Sequence, residues 1–113
     1  MKLIIAIIQP HKLEVVKTEL EAVGVNLMTV TNVVGQGRQK GVTEIYRGAK
    51  EAGGLLNKIR LDIAVNDEFV EPAITAITKG AHTGCVGDGK IFVVDLVECI
   101  RISNAERGGK AIG

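Results

Sequence analysis

The chain has 113 residues, of which 46% are hydrophobic and only 3% aromatic, with a formal net charge of +1. That length suits one domain around a single modest core of Ile, Val, Leu and Ala, while the near-neutral charge and scarce stacking aromatics speak against a nucleic-acid partner. The opening apolar run, Leu3 to Ile8, is too short for a signal-peptide core or a membrane span, so the chain reads as soluble and cytoplasmic.

"KLIIAII" (Lys2 to Ile8) is a continuous β-branched run, as expected of a strand buried on both faces. Pro10 then opens a helix with apolar positions at Leu13, Val16, Leu20 and Val23, and Gly24 is placed to stop it. Val25 to Gly35 is rich in Thr and Val and predicts a long strand. A polar segment with five glycines, Gly37 to Gly54, separates it from the next strand, Asn57 to Val65, where Ile59, Leu61, Ile63 and Val65 alternate onto one face. Ordinary hairpin loops use about two to five residues, so an excursion of this length points to function or disorder. Asn66 and Asp67 are capping residues for a second helix bearing Phe69, Val70, Ala73, Ile74 and Ile77. Pro72 is tolerated only near a first turn, which predicts a helix that begins late or bends there. After a Gly-rich turn, "IFVVDLVECIRI" (Ile91 to Ile102) reads as a final long strand region.

The order β-α-β-β-α-β predicts an α+β, ferredoxin-like (split βαβ) domain, with a long loop between the second and third strands and both helices on one sheet face. Strand residues look apolar on both faces, which predicts an oligomer that stacks its sheets.

Three stretches invite chemistry. Gly84 to Lys90 spells G-x-x-x-x-G-K, but Ile91 stands where a Walker loop has Ser or Thr, and a strand follows where a Walker loop has a helix. Its glycines can nonetheless turn consecutive N–H groups on an anion, with Lys90 adding charge. In "GQGRQK" (Gly35 to Lys40), Arg38 can fork onto phosphate and Gln39 offers an oxygen to a hard cation. Arg101, late in the last strand region, is the third candidate. Taken singly, each is as well explained by a plain turn or an exposed strand end. Cys85 and Cys99 read as small packing residues, and neither His11 nor His82 has a partner in sequence that makes it a nucleophile or ligand.

Together, "GRQKGVTEIYRGA", "TGCVGDGKIFVVDL" and the element order resemble the PII nitrogen-regulatory signal-transduction family over essentially the whole chain. The resemblance implies a homotrimer with a nucleotide site in each cleft between neighbours. ATP and ADP would compete there, and Mg2+-ATP would admit 2-oxoglutarate beside it. It assigns residues about 36–55 to a mobile effector arm, the T-loop, which docks on protein targets. About 82–90 would form a phosphate-binding loop and 103–113 a C-terminal tail. Ile7, Gly35, Gly37, Arg38, Gln39, Gly87, Asp88, Gly89 and Lys90 would line one wall of the nucleotide site. Thr29, Asp62, Ala64 and Arg101 would come from the adjacent subunit, with Thr29 and the 62–64 region facing adenine. Gln39 would help hold magnesium through ATP and 2-oxoglutarate, Lys58 would pair with a 2-oxoglutarate carboxylate, and Gly41 would lie close by.

The departures from the family pattern carry expectations too. Glu51 stands where many members carry a uridylylated Tyr, and Ala49 where some carry a phosphorylated Ser, so no modification is expected at Glu51. Ser103 replaces a second phosphate-binding arginine. Without compensation from Arg107 or Lys110, losing a charged hydrogen bond of about 1.5–3 kcal/mol predicts roughly ten- to a hundredfold weaker nucleotide binding, ATP more than ADP. Asp62, one methylene shorter than the usual Glu, loosens contact with adenine.

The function so implied is a non-enzymatic regulator of nitrogen metabolism, with an ammonium transporter or nitrogen-metabolism enzymes as targets. A membrane would be met only indirectly, through a transporter. The alternatives are a sensor of adenine nucleotides or another metabolite that has lost 2-oxoglutarate, and a phosphate-handling enzyme. No nucleophile–base pair supports the last.

Overall fold

A computed structural model describes residues 1–36 and 54–113. Its strands are β1 (Lys2–Ile8), β2 (Thr29–Gln36), β3 (Leu55–Val65) and β4 (Gly89–Asp95). Its helices are α1 (Leu13–Ala22), α2 (Val70–Ala81) and the single-turn α3 (Gly109–Ile112), and 3-10 turns at Pro10–Lys12 and Asp67–Phe69 lead into α1 and α2. Pro72 is thus the third residue of α2, inside the first turn, where its missing N–H breaks no helical bond.

The four strands form one antiparallel sheet in the order β2-β3-β1-β4. The predicted alternation is met. Ile4, Ala6 and Ile8 of β1 share a face with Ile59, Leu61, Ile63 and Val65 of β3, and Val16, Leu20, Ala73, Ala76, Ile77 and Ala81 of the helices complete that core. The helices cross closely at Gly80, where an added Cβ would lie 2.9 Å from Val16 Cα. The other face is half-covered, with Leu3, Ile5 and Ile7 partly buried and Phe92 and Val94 about half exposed. β1 is therefore apolar on both sides, but only its helix side is fully buried.

α1 stops as expected. Gly24 adopts φ +84°, Gly24 N–H donates to Glu21 O at 3.1 Å and Val25 N–H to Leu20 O at 2.9 Å, a Schellman termination. That termination also corrects the expected start of β2. Val25 is used to close the helix and buries its side chain in the core, so the strand begins only at Thr29.

The last strand region is corrected as well. β4 ends at Asp95 rather than running on to Ile102: its last rung pairs Asp95 with Lys2, Leu96 N–H donates to Met1 O at 3.1 Å, and the chain then turns away into residues 99–108. Residues 99–108 instead fold back on themselves, with one isolated antiparallel bridge, Ile100 to Arg107.

Candidate nucleotide and effector site

β1 and β4 pair with Ile8 opposite Gly89 and Ile7 opposite Lys90, so the loop of residues 82–88 empties directly onto the end of the central strand. Gly89 adopts φ +108°, and a Cβ there would sit 1.7 Å from Ile7 O. Only glycine allows the loop to enter the sheet at this point. The loop is closed by Asp88. Thr83 N–H donates to its Oδ2 at 2.7 Å, Gly84 N–H to the same oxygen at 3.0 Å, and the Thr83 hydroxyl to Oδ1. These donors, the Thr83 hydroxyl foremost, pull the Asp88 carboxyl down to about 2. Asp88 therefore acts by shaping the loop, and Thr83, which sequence reading did not single out, is its main partner. His82 Nδ1 lies 3.8 Å from Asp88 Oδ2, at long range for an ion pair.

Lys58 is the buried charged residue of the described chain. Its Nζ donates to Gly87 O at 3.0 Å, joining the interior of β3 to the loop. Burial pushes its ammonium below the ordinary lysine value, and the nearby Asp88 carboxylate opposes that only in part. A cleft of about 320 Å³ opens beside the loop, lined by Ile7, Ile8, Ile77, Ala81 and Ile91, with His82, Asp88, Gly89 and Lys90 at the polar end. The structure thus gathers Ile7, Asp88, Gly89 and Lys90 in one place, with Gly87 and Lys58 adjoining.

The residues expected from the second wall lie further across the open sheet face. Thr29 is the direct cross-strand partner of Asp62, and Ala64 that of Leu3. Gly35 lies opposite Leu56 near the far end of β2. Asp62 is gripped by Arg60 two residues away: Nε donates to Oδ1 and Oδ2 at 3.2 and 3.1 Å, and Nη2 to Oδ1 at 3.0 Å. The R-x-D spacing was readable as same-face neighbours on a strand, and sequence reading passed over it.

Arg101 is held within the C-terminal turn. Its Nε faces Glu106 Oε1 at 3.4 Å, and its Nη2 donates to Lys110 O at 3.1 Å. Ser103 is exposed on the same turn. Arg107, considered as a substitute for the missing arginine, donates instead to Glu98 Oε2 at 3.2 Å. Cys85 is exposed, which corrects its reading as a packing residue: hydrogen bonds to Asp88, not apolar contacts, hold its loop together. Gly37, Arg38, Gln39, Gly41, Tyr46, Ala49 and Glu51 lie outside the described residues, as does most of the expected effector arm. Among the described residues no group of three or more His, Cys, Asp or Glu side chains is arranged to hold a metal ion, and no helix is long and apolar enough to cross a membrane.

Comparison with known proteins gives a consistent result. The family model described as nitrogen regulatory protein P-II matches residues 1–106. A nitrogen regulatory protein P-II of Azospirillum brasilense is 51% identical over 112 residues, covering 99% of this chain and 100% of the relative. The nitrogen regulatory protein P-II 2 of Methanothermobacter thermautotrophicus is 52% identical, with 99% and 97% covered. A crystal structure of Arabidopsis thaliana PII bound to citrate superposes with a TM-score of 0.79 at 32% identity, covering 97% of this chain and 87% of that one.

Proposed function

The chain belongs to the nitrogen regulatory protein P-II family, and on that premise we propose that it is a non-enzymatic sensor whose nucleotide and oxoacid occupancy decides which protein target it engages. The fold is read as ferredoxin-like and the working assembly as a cytoplasmic homotrimer, with the apolar open face of the sheet turned inward between subunits. ATP and ADP compete for the cleft at each subunit boundary, and 2-oxoglutarate joins when Mg2+-ATP is present. The segment from about 36 to 55 is the arm that meets the target, an ammonium transporter or an enzyme of nitrogen metabolism.

One observation carries this reading. Asp88, Gly89 and Lys90 of the glycine-rich loop line one cleft, and the buried Lys58 ammonium holds that loop from beside it through Gly87. Loop N–H groups and ammonium groups so placed suit a polyphosphate next to a carboxylate. Citrate on the Arabidopsis PII, itself a polycarboxylate, supports a carboxylate effector here. Arg38, Gln39 and Gly41 complete the site in this reading, Gln39 as a magnesium ligand. Thr29, Asp62, Ala64 and Arg101 reach it from the neighbouring subunit.

The test is calorimetric titration of 2-oxoglutarate with Mg2+-ATP present, beside the same titration with Mg2+-ADP. Binding with ATP alone supports the coupled sensor. Nucleotide binding with no response to 2-oxoglutarate supports the second reading, a sensor of adenine nucleotides or another metabolite, which Ser103 and the engagement of Arg101 by Glu106 favour. Steady phosphate release from ATP would overturn both in favour of an enzyme.

A further inference from the structure

We propose that Arg60 is a positioning residue for base recognition, fixing the Asp62 carboxylate so that the site selects an adenine edge over one carrying a 6-oxo group. The inference rests on the nucleotide reading above, in which the region around Asp62 faces the base.

The geometry is specific. Positions 60 and 62 project from the same, open face of β3. Arg60 Nε–H is shared between Oδ1 and Oδ2 and Nη2 donates to Oδ1 as well, so three contacts fix the carboxylate against the guanidinium. Oδ2 keeps the larger free acceptor capacity, and the Asp62 side chain is 25% exposed, so one side of it stays open. Its cross-strand neighbours are Thr29 and Ile5, while those of Arg60 are Thr31 and Ile7. The pair is therefore flanked by aliphatic side chains on one strand and by small hydroxyl residues on the other. That makes a surface on which a flat base can lie, with an acceptor waiting at its edge.

Without Arg60 this acceptor would be poorly defined. The terminal torsion of aspartate is broad and roughly two-fold, so a lone carboxylate samples many directions. Arg60 removes that freedom before any ligand arrives. Adenine presents an exocyclic N–H donor at position 6, and hypoxanthine presents a carbonyl oxygen there. A fixed carboxylate oxygen accepts from the first and repels the second. A site built to bond a particular donor rejects an analogue lacking it far more strongly than an apolar pocket does. The shortened side chain at position 62 thereby gains in definition what it lacks in reach.

The experiment is competition between ATP and ITP, which share ribose and triphosphate and differ only at the base edge. It uses the full chain, with Arg60→Met, Arg60→Lys and Asp62→Asn beside it. The unsubstituted chain is expected to prefer ATP by about tenfold or more. Arg60→Met keeps the aliphatic stem and should compress that preference about three- to tenfold by weakening ATP while leaving ITP unchanged. Arg60→Lys should restore part of it, and Asp62→Asn should abolish it. A merely structural loss would weaken both nucleotides alike, so the ratio is the decisive reading. An unchanged ratio in Arg60→Met, or an unsubstituted chain that binds both nucleotides equally, overturns this inference and leaves the sensor reading standing. A chain that binds neither nucleotide overturns both.

Discussion

Lys58 Nζ and Gly87 O, 3.0 Å apart, tie the interior of the sheet to the glycine-rich loop. Lys58→Met keeps the buried stem and removes the donor. Amide exchange across residues 84–89 should quicken about fivefold, the equivalent of roughly 1 kcal/mol for one hydrogen bond. The melting temperature should move by less than about 3 °C, because the variant also sheds the cost of burying an ammonium. On the proposed reading, binding of 2-oxoglutarate should disappear with the donor. Exchange rates that stay unchanged would mean that Asp88 alone holds the loop.

Two glycines with positive φ separate crowding from conformational preference. Gly108 has φ +79° and nothing within 4 Å of an added Cβ, whereas at Gly89 that atom would lie 1.7 Å from Ile7 O. Gly108→Ala should cost about 1–3 kcal/mol, the penalty of placing a side chain on a backbone that only glycine adopts readily. Gly89→Ala must also part β4 from β1 and should cost about 4 kcal/mol or more. Denaturant melts of the two variants give the comparison directly, and equal losses would mean that the strand end yields without cost.

The loop should also respond to acid. With the Asp88 carboxyl at about 2, below the unfolded carboxylate value near 3.9, its contribution to stability is fully present above about pH 4. It is lost as pH falls toward 2. Thr83→Val removes the largest cause of the depression and should raise the carboxyl toward its ordinary value, bringing the loss to higher pH. A titration of the Asp88 side-chain carboxyl carbon by nuclear magnetic resonance reads this in one series. A curve unmoved by Thr83→Val would show the backbone N–H donors to be sufficient.

In the C-terminal turn, Glu106 competes for the arginine that the nucleotide reading assigns to phosphate. The pair is part-exposed and 3.4 Å long, so its worth lies within the range of about 0–1 kcal/mol for such pairs. Glu106→Gln should therefore tighten ATP binding, by at most about fivefold, and should steepen its dependence on salt. Weaker binding in that variant would show Glu106 holding Arg101 in a receptive pose instead.

Much of this was legible in the residues. The β-branched run of β1 and the alternation from Ile59 to Val65 name the core because burial imposes a period of two on a strand. The stop at Gly24 and the entry of a glycine-rich loop into β4 were also readable, since only glycine takes those angles without strain. Strand ends were not. β4 ends at Asp95, whose rung with Lys2 is the last of the β1 ladder, and Thr29 begins β2 because Val25 is already closing α1. The first depends on a partner far away in the chain, the second on how the preceding helix closes. The roles of Thr83, Arg60 and Glu106 escaped for a related reason: whether a polar side chain meets a ligand or another side chain is decided by direction, which residue type does not encode. Exposed Cys85 shows the same limit, since a loop clasped by hydrogen bonds has no need to bury its small apolar residues.

Ile7 pairs with Arg60 on one side and with Lys90 on the other. A single rung of the sheet thus carries a residue proposed to serve the base end of a site and one proposed to serve its phosphate end. During synthesis the first of these neighbours emerges well before the second, and β1 must wait for β4 to join it across most of the chain length. Non-local pairings of this kind are slow to form. On the proposed reading, ligand affinity accordingly arrives late in folding, and a chain still lacking its last strand has no complete site to fill.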